Sequence, residues 1–208
     1  SSLENKNLIY GKYCKEFEKS FSKYLKVNFS LAVSSGTAAL HLALLALELK
    51  KGDLVFVPDF TWPATINVIE MVGATPVFID VNPTNYCMDI KLLEKSLKNS
   101  NNNNCKKVIM PVHQFGFPID MITINAIADK YNCKVVEDAA CAVGSEFNDQ
   151  KVGSFSDVSC FSFHPRKILT TGEGGMICTN DLELANKIRY LLNHGFSADM
   201  KSFNFPGL

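Results

Sequence analysis

The sequence predicts an α/β fold, a mostly parallel central sheet with helices on both faces. Three observations predict it. Short apolar runs such as Leu54-Val55-Phe56-Val57 and Val108-Ile109-Met110 recur along the chain, segments of helical periodicity separate them, and the runs do not alternate with polar residues. Strands of that kind meet water on neither face, so helices must cover both. The 208 residues are 47% hydrophobic, enough to bury the core of one large domain over residues 1–208.

Each element follows from its pattern. Residues 12–25 place Cys14, Phe17, Phe21 and Tyr24 or Leu25 three and four apart, predicting an amphipathic helix at the N-terminus. Leu31-Ala32-Val33 reads as a strand, and Ser34-Ser35-Gly36 as a turn with a capping serine. An Ala- and Leu-rich helix over 37–49 follows, apolar on nearly all sides and so buried. Strands are then expected at 54–57, 76–80, 108–112 and 134–138, with helices at about 63–72, 89–98 and 119–131. Beyond Asp138 the texture changes. Two strands, 159–163 and 175–179, lie close together around a Gly-rich turn, and a helix over about 182–193 closes the readable part. The polar run 99–104 is a solvated loop. Residues 203–208 read as the middle of a loop, so a further C-terminal portion is expected.

Composition narrows the function. Lys plus Arg equals Asp plus Glu at 21 each, which favours neither nucleic acid nor an anionic membrane as partner. No apolar run approaches the roughly 18 to 20 residues of a membrane span, and no signal segment is evident at the start. The seven cysteines are irregularly spaced and lack paired CxxC motifs, which suits thiols in a reducing cytoplasm better than a disulfide framework or a zinc site.

In an open parallel sheet, ligands collect beyond the carboxyl ends of the strands. Four clusters sit there. Ser34-Ser35-Gly36-Thr37 stands between a strand and a helix N-terminus, where free amides form an anion site or a plain helix cap. Pro58-Asp59-Phe60-Thr61-Trp62 carries the sole tryptophan, a flat ring for stacking or a packing residue. Glu137-Asp138-Ala139-Ala140 ends a buried strand with a carboxylate that either caps the next turn or pairs with a protonated ring nitrogen. Ser162-Phe163-His164-Pro165-Arg166-Lys167 leads into a Gly-rich turn, and Lys167 is either a solvated neighbour of Arg166 or an amine that bonds an aldehyde. Anion site, stacking ring, ring-nitrogen partner and reactive amine together make up what a pyridoxal 5'-phosphate (PLP) site supplies. The chain lacks the Gly-rich fingerprints of dinucleotide and nucleoside triphosphate sites.

With Thr170-Thr171-Gly172-Glu173-Gly174-Gly175 and Asn193-His194-Gly195, these clusters resemble the DegT/DnrJ/EryC1/StrS sugar aminotransferases of PLP fold type I, from about Gly11 onward. The resemblance implies that Lys167 bonds PLP, Asp138 pairs with the pyridine nitrogen, and Trp62 stacks on the ring. It also implies that Gly36, Thr37 and Ser162 hold the phosphate. It implies an amino-acid donor, glutamate, and a nucleotide-linked keto-sugar acceptor. A homodimer with shared active sites and a smaller C-terminal domain beyond this chain are implied as well. Cys141 departs from the pattern, since the family commonly has Gln or His there, near the ring. A thiol is a weaker hydrogen-bond donor. Family members acting as deoxysugar dehydratases carry His in place of the lysine, which Lys167 argues against. That reaction, and a non-catalytic regulatory protein on the same fold, are the alternatives. His113 is a candidate for lining the substrate crevice or for a structural role. His164 either orients the lysine loop or packs there, and Glu173 either acts in catalysis or fixes the turn.

Overall fold

A computed structural model describes residues 10–100, 105–195 and 207. The elements are α1 Lys12–Leu25, β1 Phe29–Val33, α2 Gly36–Ala46, β2 Leu54–Pro58, α3 Pro63–Met71, β3 Thr75–Ile79, α4 Ile90–Asn99 and β4 Lys107–Ile109. A 3-10 turn Gln114–Gly116 follows, then α5 Met121–Tyr131, β5 Lys134–Asp138, β6 Glu146–Phe147, β7 Gln150–Lys151, β8 Val158–Ser162, β9 Gly175–Thr179 and α6 Leu182–Leu192. Seven strands form one sheet in the order β1-β9-β8-β5-β4-β2-β3. From β3 to β8 every pairing is parallel, while β9 runs antiparallel to both β8 and β1. All strands of this sheet except β9 therefore end at the same edge, and the predicted site clusters hang from that edge.

One alternation sorts the core across the whole sheet. Val55, Val57, Val108, Met110, Val136, Val158, Cys160 and Ile177 pack under α2, α3 and α6. Their neighbours Phe56, Ile109 and Val135 face α4 and α5, and Phe161, Met176 and Cys178 face α1. Successive side chains on a strand point to opposite faces, so this sorting is automatic once register is set. Helix α2, apolar all round, is the most deeply buried, as its composition predicts.

Boundaries moved where local chemistry intervenes. Helix α2 stops at Ala46 rather than near 49, and Glu48 just beyond takes φ 58. Strand β4 stops at Ile109 because Pro111 has no amide hydrogen to give the ladder; only a single bridge, Val112 to Asp138, resumes it. The hairpin β6–β7 was not anticipated. Its signal was the pair Asn148-Asp149, both with positive φ (49 and 60), the residue types that tolerate a tight hairpin turn. Glu18 on α1 is buried, although the amphipathic pattern gives no reason for it. Its carboxylate accepts the Ala32 amide of edge strand β1 (2.9 Å) and the Tyr10 hydroxyl (3.0 Å), and Arg189 stands 3.5 Å away. No helix among the described residues is long and apolar enough to cross a membrane.

Candidate active site

The anion end of the site is built by a close approach of two elements. Ser35 caps α2, its hydroxyl accepting the Ala38 amide at 3.1 Å, and its carbonyl accepts the Ala39 amide at 3.0 Å. The amides of Gly36 and Thr37 precede the first intrahelical bond and point out of the helix end. A methyl group on Gly36 would lie 2.7 Å from Ser162 Cβ, so only glycine lets the end of β8 and the start of α2 meet. Ser162 is on the α2 face of β8, and Thr37 is exposed beside it. Gly175 is equally constrained, since a Cβ there would sit 2.5 Å from the Ser35 carbonyl oxygen.

The carboxylate end lies one strand over. Asp138 closes β5 and is buried, with Oδ2 accepting the Thr65 hydroxyl (2.9 Å) and Oδ1 the Ala140 amide (3.1 Å). Burial raises its pKa above the ordinary carboxylate value. The Ala140 and Thr65 hydrogen bonds and the charges of Lys167 and His113 only partly oppose that rise. A buried carboxyl in this condition gains stability in its charged form from any further cation placed beside it. Thr65 comes from α3 and is itself linked to Thr61 (3.0 Å) of the cluster before that helix; Thr65 itself carried no sequence signal.

The amine enters from the loop after β8. A turn fixes the Lys167 backbone, its amide donating to the His164 carbonyl at 2.9 Å, and Nζ donates to Cys141 Sγ at 2.9 Å. Cys141 lies three residues beyond Asp138, so this contact joins the lysine loop to the end of β5.

The comparisons with known proteins decide what this arrangement belongs to. The profile of the DegT/DnrJ/EryC1/StrS aminotransferase family matches residues 1–205. The chain belongs to that family. It is 43% identical over 196 residues to GDP-perosamine synthase of Caulobacter vibrioides, covering 94% of this chain and 51% of that protein. It is 44% identical over 194 residues to UDP-N-acetyl-3-dehydro-alpha-D-glucosamine 3-aminotransferase of Acidithiobacillus ferrooxidans, covering 93% and 51%. A DegT DnrJ EryC1 StrS aminotransferase from Brucella abortus superposes with a TM-score of 0.93 at 36% identity, over 100% of this chain and 56% of that one. NtdA from Bacillus subtilis, solved with bound cofactor PMP, gives 0.86 at 35% identity, over 95% and 44%. The chain thus spans about half the length of the relatives it matches.

As a member of this family, the chain places its sequence-predicted residues unevenly. Gly36, Thr37, Ser162, Asp138, Cys141 and Lys167 gather at the carboxyl edge, as expected from their positions after strands. Trp62 stands at the same edge as the residue before α3, but the residue is 69% exposed; the Arg166 guanidinium lies 6.0 Å from its ring centre. His164 and Glu173 face each other at 3.8 Å across the Gly-rich turn, and His164 Nδ1 accepts the Arg166 amide at 3.2 Å. His113 is a correction to the substrate-lining expectation. Its side chain is fully buried, one ring nitrogen accepts the Ile119 amide (3.2 Å) and the other bonds Glu137 Oε1 (2.9 Å), so no ring atom is left for a substrate. Of its two sequence readings, the structural one describes this geometry.

Proposed function

We propose that this chain is the cofactor-binding part of a PLP-dependent aminotransferase. The enzyme moves an amino group from an amino acid, glutamate, to the keto group of a nucleotide-linked deoxysugar. The observation that carries the reading is the meeting of a buried carboxylate and an amine at one sheet edge: Asp138 closes β5, and the Lys167 amine is held on Cys141, three residues beyond it. The residues fit the cofactor. Gly36 lets the start of α2 close onto the end of β8, which brings the amides of Gly36 and Thr37 and the Ser162 hydroxyl together as donors that suit a phosphate. Asp138 suits the protonated ring nitrogen, and Trp62 is free to stack on the ring.

When bound, PLP supplies the aldehyde that takes the amino group and a ring that absorbs an electron pair. The chain supplies the rest. Lys167 would bond the cofactor between turnovers and, once displaced, would move the proton taken from the donor's α-carbon. Asp138, itself buried, would hold the ring nitrogen protonated, and a fixed charge acts strongly where it is shielded from water. The sugar-nucleotide class of acceptor is supported by the names of the relatives above. A homodimer with shared active sites and a cytoplasmic setting complete the reading.

The test uses the full-length protein. Loaded with PLP, it should show the visible band of lysine-bound cofactor, and glutamate alone should convert that band to the pyridoxamine spectrum. A band that glutamate leaves untouched contradicts the proposed donor. Return of the band on adding a nucleotide-linked keto-sugar, but not the free sugar, checks the acceptor class.

A further inference from the structure

We propose that Cys141 is the positioning residue for the Lys167 amine, its thiol holding the amine at the crevice whenever the amine carries no cofactor. The inference rests on the PLP reading above and adds to it a role for a residue at which this chain departs from its family's pattern.

Both ends of the contact are fixed independently of it. On one side, the Lys167 loop is pinned by bonds to its base: Lys167 N to His164 O (2.9 Å), Thr171 N to Phe163 O (3.1 Å) and Thr170 Oγ1 to Phe163 O (2.9 Å). On the other, the turn after Asp138 is held by Ala142 N to Ala139 O (2.9 Å) and Ser145 N to Ala142 O (3.1 Å). It is backed by Gly116, where a Cβ would lie 2.9 Å from the Cys141 carbonyl oxygen, and Ser145 Oγ ties that glycine's carbonyl at 2.6 Å. Two separately anchored loops thus present sulfur and nitrogen to each other at 2.9 Å.

Among the described residues, the hydrogen bond of Lys167 Nζ goes to Cys141 and to no carboxylate, while Glu173 faces His164 and Arg166 lies 6.0 Å from the centre of the Trp62 ring. Among the described residues, the thiol is therefore the group that keeps a long, rotamer-rich side chain directed into the crevice. A lysine side chain loses much rotamer entropy when fixed. A partner that removes part of that cost before the cofactor arrives should speed its capture.

The experiment has two arms on the full-length protein. In the first, PLP is mixed with cofactor-free wild type, Cys141→Ala and Cys141→Ser, and the visible band is followed. Cys141→Ala should capture PLP about three- to tenfold more slowly, the factor of one hydrogen bond, and Cys141→Ser should recover most of the rate. In the second, cofactor-free wild type and Lys167→Met are treated with iodoacetamide, and alkylation of Cys141 is timed by peptide mass spectrometry. The Lys167 amine contacts the sulfur, so removing it should change the alkylation rate several-fold in Lys167→Met. Capture by Cys141→Ala at the wild-type rate, or alkylation indifferent to Lys167→Met, overturns the proposal. Absence of any band in the wild type would count against the cofactor reading instead, and the alkylation arm would still decide the contact.

Discussion

Two adjacent carboxylates on β5 have opposite surroundings. Glu137 and Asp138 are both buried, yet consecutive strand residues face opposite sides of the sheet. Glu137 looks toward the α5 side and is well provided for. His113 Nε2 donates to it at 2.9 Å, the Gly153 amide donates to the same oxygen, and Ser156 Oγ donates to the other at 2.8 Å. Asp138 looks toward α2 and α3, has one short bond per oxygen, and keeps a pKa raised by burial. The same chemistry thus serves two purposes. A carboxylate surrounded by donors locks loops 111–119 and 153–156 to the sheet, and one left short of positive charge awaits a partner.

This contrast can be broken from either side. Asp138→Asn should leave the fold intact and cut amino transfer by about 10²-fold or more, the scale of removing one preorganised electrostatic group; single-turnover rates of the full-length enzyme check it. Glu137→Gln should do the reverse. It replaces an acceptor of three donors by an amide that cannot accept them all, costing about 2 kcal/mol of stability in denaturant unfolding, with single-turnover rates near wild type in the folded fraction. Gly36→Ala probes the anion end. The added methyl meets Ser162 Cβ at 2.7 Å, so roughly 1 to 2 kcal/mol of stability should be lost, and PLP should bind more weakly. The smallest effect is on pH dependence. Because Asp138 holds its proton more tightly folded than unfolded, its contribution to the cofactor-free protein's stability falls as pH rises from about 3.9, the unfolded value, through the raised folded value. Asp138→Asn should remove that slope, and unfolding curves across the acid range would detect it.

The contrast also marks what was legible in the sequence. Strand and helix order came through because each element carries its own period; Asp89, Asp120 and Asp181, whose side chains bond the first amides of α4, α5 and α6, then set where those helices begin. The gathering of Gly36, Asp138, Ser162 and Lys167 at one edge followed from their places after parallel strands. Partners set by register were not legible. Thr65 reaches Asp138 from 73 residues away, and nothing in its neighbourhood announces it. His113 follows a strand just as Asp138 does, but its ring lies on the Glu137 side, and one residue of register separates a crevice from a core. The burial of Glu18 depends likewise on the edge amide of β1 that it satisfies.

The central claim is that Lys167 and Asp138 address one ring from the same crevice. The most direct measurement is hydride reduction of the PLP-loaded full-length enzyme, followed by peptide mass spectrometry to find the labelled lysine, in wild type and Asp138→Asn. The account predicts a pyridoxyl label on Lys167 in both proteins, with the visible band of the variant shifted because the ring nitrogen has lost its charged partner. A label on any other lysine, or a variant whose spectrum and turnover match the wild type, would contradict it.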